Sequence, residues 1–71
     1  MGKQNTDIVV RDLKSSDLRR IAKNAGYIIS GSMAIKGPDA PAAGKERVRI
    51  SNKTKIYAPL VRATFQQLGL I

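Results

Sequence analysis

Arg47 and Arg49 alternate with Val48 and Ile50 in the run Glu46-Arg47-Val48-Arg49-Ile50-Ser51. An extended backbone sends such alternate side chains to one side, and each guanidinium can hold a phosphate through paired N–H donors. Lys53 and Lys55 stand just before the last predicted helix, whose free N–H groups and positive dipole end attract anions. Arg19, Arg20 and Lys23 add charge to the outer face of the first predicted helix, and Lys36, Lys45 and Arg62 complete the candidate phosphate-binding set. Six such contacts made together give a log–log salt slope of about −4 to −5.

Other chemistry has little to stand on. The chain has no histidine and no cysteine. That removes the usual neutral-pH base, the Ser-His and Cys-His nucleophile pairs, disulfides and the commonest zinc ligands. The acids are Asp7, Asp12, Asp17, Asp39 and Glu46, and their spacing forms no cluster suited to a metal. No catalytic residue, cofactor or metal is therefore expected. Thirteen Lys and Arg against five Asp and Glu give a net charge of +8. So large an excess on a small chain points to a polyanionic partner. The excess is spread evenly, with seven bases and three acids in residues 1–37 and six and two in 38–71.

The 71 residues make one domain, read as residues 13–71 after an N-terminal extension over 1–12. No apolar run approaches the roughly 18 residues of a membrane span, and the polar start lacks the apolar centre of a signal peptide. A cytoplasmic setting is expected. Met1-Gly2 with Thr6 also matches the short N-myristoylation pattern, without other support.

The elements that must position the cations follow from periodicity. Leu18, Ile21, Ala22 and Ala25 form a helical stripe. With Ser15 or Ser16 as N-cap, Asp17 in the first turn and Gly26 as stop, the first helix spans about 15–25. In Tyr27–Lys36 the odd positions are apolar and the even ones turn polar after Ile28, which predicts one half-buried strand over 27–36. On this reading Met33 belongs to the apolar face, and Gly31 is an unusual glycine within a strand, marking a bulge or a close approach. The segment Gly37–Gly44 is rich in Pro, Gly and Ala and reads as an exposed, mobile loop. A second strand, 46–51, pairs with the first as an antiparallel hairpin. Pro59 starts a helix over about 59–68, with Val61, Thr64, Phe65 and Leu68 inward. Residues 7–11 could add a short strand. The fold class is α+β: a small antiparallel sheet with two helices on one face. Arg47, Arg49, Ser30, Ser32 and Lys36 are then expected on the open face. Phe65 and Tyr27 are expected to pack, and packing is also the favoured role of Tyr57.

The order of signals resembles a known family. Lys14-Ser15-Ser16-Asp17-Leu18, a helix ending in Asn24-Ala25-Gly26-Tyr27, then Gly31-Ser32, a basic strand, and Leu60-Val61-Arg62-Ala63-Thr64-Phe65-Gln66-Gln67-Leu68-Gly69-Leu70 are similar to the HicA (YcfA-like) mRNA interferase toxins. The resemblance covers about residues 13–70. It implies a fold like a double-stranded-RNA-binding domain, affinity for RNA and a neutralising antitoxin partner. The family's catalytic histidine follows Gly-Ser, where this chain has Met33, and the family's Val-Pro before the last helix is replaced by Ile50-Ser51-Asn52-Lys53. A thioether cannot act as general base, so RNA binding without ribonuclease activity is the expectation.

Two other readings compete. A DNA-binding regulator would use Ile21, Ala22 and Gly26 in a helix-turn-helix, although Gly31 would then sit inside the recognition helix. In a winged-helix variant 27–36 and 46–51 would be wing strands. A phage-type inhibitor would instead bind an acidic protein surface.

Overall fold

The computed structural model describes residues 9–71. Helix α1 (Ser15–Asn24) is followed by three strands, β1 (Tyr27–Ser30), β2 (Met33–Lys36) and β3 (Arg47–Arg49), and then by helix α2 (Ala58–Gln67). The strands form one antiparallel sheet in the order β1-β2-β3. Helix α1 packs over β1 and β2, and α2 over β3. The architecture is α+β, with a small antiparallel sheet and two helices. Of the proposed strand at 7–11, residues 9–11 take no strand conformation and the rest lies outside the described residues, as does the Gly2 pattern.

The single long strand expected over 27–36 is instead a hairpin. Ser30 pairs with Met33 across a two-residue loop, Gly31-Ser32, and Gly31 has φ 62°. A tight hairpin whose twist matches its strands needs positive φ at the first loop position, which glycine supplies at no steric cost. The reversal changes which residues point inward. Ile29 pairs with Ala34, and Ala34 with Val48, so these three share the covered face. Ile28, Ile35 and Arg47 share the other face, as do Ser30, Met33 and Arg49. Ala34 is fully buried, Ile35 is 39% exposed and Met33 is only half-buried. Met33 is therefore no core residue. The hairpin also occupies the place of a recognition helix, which removes the helix-turn-helix reading. Two helices among the described residues leave the winged-helix variant incomplete.

Both amphipathic stripes land as their periodicity requires. Leu18 and Ala22 of α1 meet Tyr27, Ala34, Val48, Ile50, Ile56, Val61, Phe65 and Leu68 in one core, with Ile21 and Ala25 half-buried against it. Thr64, also buried, donates its hydroxyl to the Leu60 carbonyl at 2.9 Å, so it leaves no unpaired polar group inside. The N-cap of α1 is Lys14 rather than Ser15 or Ser16. Asp17, at the third helical position, accepts the Lys14 backbone N–H at 3.3 Å, the returning bond of a capping box.

The Pro/Gly/Ala loop is tied down rather than loose. Lys36 Nζ donates to the Ala42 and Gly44 carbonyls at 3.0 and 3.1 Å. The Lys45 N–H bonds the Gln67 carbonyl at 2.7 Å, and the Tyr27 hydroxyl donates to the Lys45 carbonyl at 2.8 Å. Burial raises the Tyr27 pKa above its ordinary value of 10.0. Gly44 is buried, and a Cβ there would press on the Tyr27 hydroxyl and lie 2.8 Å from the Leu68 carbonyl oxygen. Only glycine permits this approach.

Candidate nucleic-acid interface

The ladder between β2 and β3 extends past the assigned strand at both ends. Lys36 N–H bonds the Glu46 carbonyl and Ile50 N–H bonds the Ser32 carbonyl, each at 2.7 Å. The backbone is thus paired from 46 to 50, close to the expected 46–51. Val48 and Ile50 are fully buried, while Arg47 and Arg49 are exposed on the open face. Successive outward residues on a strand are about 6.6 Å apart. Exposed Lys45 lies just before this pair and exposed Lys53 just after it. Lys45, Arg47, Arg49 and Lys53 therefore follow one another along β3 and its flanks. None of the four has an acidic partner among the described residues.

The other six candidate cations are placed differently. Lys36 shares the covered side with Tyr27 and braces the loop as described, so it does not belong to the open face. Ser32 lies in the hairpin loop rather than on a strand. Arg19 is half-buried. Its Nη2 donates to Asn52 Oδ1, which ties α1 to the segment after β3, and its Nε is buried without a partner. Arg20 pairs with Asp17 at 3.2 Å, one turn away on α1. Lys23 is exposed on α1. Arg62 is exposed on α2, about 200° around the helix from Leu60 at 100° per residue, and so points away from the side that borders β3.

The expected anion site at the start of α2 is already filled from within the chain. Asp12 Oδ1 accepts the Ala58 N–H at 2.8 Å, and Asp12 Oδ2 lies 3.7 Å from Lys55 Nζ. The carboxylate thus satisfies an otherwise unpaired helix N–H and the positive end of the dipole. Lys55 also sits 5.3 Å from the centre of the Tyr57 ring, within cation–π range. Tyr57 is 63% exposed and does not pack. The folded part reaches back beyond residue 13: Val10 packs against the core, and Leu13 and Ile56 exchange backbone hydrogen bonds at 2.9 and 2.7 Å. The sequence signal for the Asp12 cap is faint, because donor and acceptor are 46 residues apart.

The open face is not uniformly polar. Ile28 is 57% exposed and, with Ile35 and Met33, lies beside the two arginines. This face offers two guanidinium groups, the Ser30 hydroxyl and a patch of aliphatic surface, but no aromatic ring for base stacking. Among the described residues no group of three acids, histidines or cysteines could hold a metal ion, and no helix is long and apolar enough to cross a membrane. Compared with protein-family models, with curated proteins and with solved structures, the chain matches none.

Proposed function

We propose that this domain binds structured or duplex RNA along its phosphate backbone, with Lys45, Arg47, Arg49 and Lys53 as the contacts. The observation that carries the proposal is the alternation along β3, which puts two guanidinium groups side by side on one exposed sheet face, flanked by two lysines, all four without an acidic partner among the described residues. Strand spacing repeats on the scale of successive phosphates, and arginine grips a phosphate with a planar pair of donors. Backbone contacts of this kind read shape and charge, as duplex RNA recognition does, and need no stacking platform. In this reading the chain is a HicA-like relative. Met33 stands beside Arg49 on the same face, where its thioether can accept no proton, so RNA is held without being cut.

Filter binding of a labelled RNA duplex and of a DNA duplex of the same sequence, across a salt series, tests the proposal. Four phosphate contacts predict a log–log slope of about −3 to −4. Arg47→Glu combined with Arg49→Glu should make that slope shallower by about 1.5–2 and weaken binding, with an unchanged circular dichroism spectrum. Unaltered RNA binding by the double variant rejects the β3 assignment. Equal affinity for the two duplexes rejects the preference for RNA.

A further inference from the structure

Among the described residues β3 is an edge of the sheet. The bonds from Ile50 N–H to Ser32 and from Lys36 N–H to Glu46 fix which backbone groups face β2. The backbone groups of residues 46 and 48 and the N–H of residue 50 face β2, so the N–H and C=O groups of Arg47 and Arg49 point away from the sheet. Among the described residues no strand pairs with them. Beside this edge lies a groove of about 600 Å³, with Arg49, Ser51 and Lys53 on one wall and Leu60, Thr64 and Gln67 of α2 on the other. Leu60 is 47% exposed. The lining includes two cations and no acid.

We infer that this groove takes an extended acidic peptide segment, which adds to β3 as a fourth strand. An unpaired edge beside a helix supplies main-chain hydrogen bonds on one side and side-chain pockets on the other, the two requirements of strand addition. The pleat then dictates the ligand's pattern. Residues opposite Arg47 and Arg49 share their face and are acidic. The residue between them turns toward α2 and is aliphatic, covering Leu60. Lys53 receives a further carboxylate beyond the strand. A second copy of this chain does not fit, because antiparallel β3–β3 pairing would set arginine against arginine, and like charges directly opposite are destabilising. The inference shares Arg47, Arg49 and Lys53 with the RNA proposal, and adds the backbone edge and Leu60, neither of which the RNA proposal needs.

The test uses the full chain and a capped six-residue peptide of alternating glutamate and valine, without RNA. Three arms accompany it: the same peptide N-methylated at the amides that would face β3, a version with lysine in place of glutamate, and the variant Leu60→Asp. Titration followed by amide NMR is expected to show binding by the parent peptide and slowed hydrogen exchange at Arg47 and Arg49. N-methylation and Leu60→Asp should each weaken binding at least tenfold, and the lysine peptide should not bind. N-methylated peptide binding within twofold of the parent overturns the inference, because attraction would then be charge alone. Unchanged exchange at Arg47 and Arg49, undiminished binding to Leu60→Asp, or no binding of the parent at millimolar concentration overturns it equally. Arg47→Glu/Arg49→Glu would weaken RNA and the acidic peptide alike, whereas the N-methylated peptide probes the backbone edge alone and so separates failure of this inference from failure of the RNA proposal.

Discussion

Ile29, Ala34 and Val48 lie side by side across one face of the sheet, and Ile28, Ile35 and Arg47 lie side by side across the other. On the first face an alanine is fully buried, and on the second an isoleucine is 57% exposed. Between Ala34 and Ile35, neighbours on β2, the order of hydrophobicity is thus inverted relative to burial. What separates the faces is cover: α1 and α2 both lie on the first. A small residue in the middle strand suits close approach of a helix, and Ala22 of α1 is likewise fully buried. The second face keeps its aliphatic side chains in water beside two arginines. It is the face available to a partner, whereas the first is committed to holding the domain together.

The contrast can be broken or sharpened by substitution. The largest effect is expected on the covered side. Ile50→Ala should cost about 2–5 kcal/mol, as for a buried aliphatic residue truncated in a packed core, a large share of the stability a domain of this size has. Urea denaturation measures it, and a loss below about 1 kcal/mol would mean that the two faces do not differ in packing. Gly31→Ala should have an intermediate effect of about 1–2 kcal/mol, the penalty for an L-residue at positive φ. An added Cβ there meets nothing within 4 Å, so the cost is conformational, and Gly31→Asn should recover part of it. Full stability in Gly31→Ala would show that the hairpin does not depend on this turn. Met33→Ala should have the smallest effect, below about 1 kcal/mol, because Met33 is half-buried on the uncovered face. A loss in the range of Ile50→Ala would move Met33 into the core and restore an uninterrupted strand.

Much of this organisation is legible in local patterns. The helix boundaries differ from expectation by one residue, and Val61, Thr64, Phe65 and Leu68 are all buried. Helical periodicity is repeated over several turns, so single exceptions do not erase it. The outward direction of Arg47 and Arg49 follows from strict alternation with Val48 and Ile50. The hairpin was legible too, since Gly-Ser is a two-residue turn signal. It was hidden because Tyr27, Ile29, Gly31, Met33 and Ile35 also fit one continuous apolar face. Two patterns competed, and the turn prevailed because it lets β1 and β2 pair with each other at low loop-closure cost.

The amino-acid sequence alone determined the charge excess, the two amphipathic helices and the alternation that turns Arg47 and Arg49 to one side, because each depends on composition or on neighbours a few residues apart. The tertiary structure decided which cations remain available. Asp12 reaches Ala58 and Lys55, Asn52 engages Arg19, and the loop carbonyls hold Lys36. A lysine or arginine is occupied or free according to what folding brings within a few ångströms, and three of these partnerships join separate elements of the chain. Their geometry exists only once the helices have packed onto the sheet.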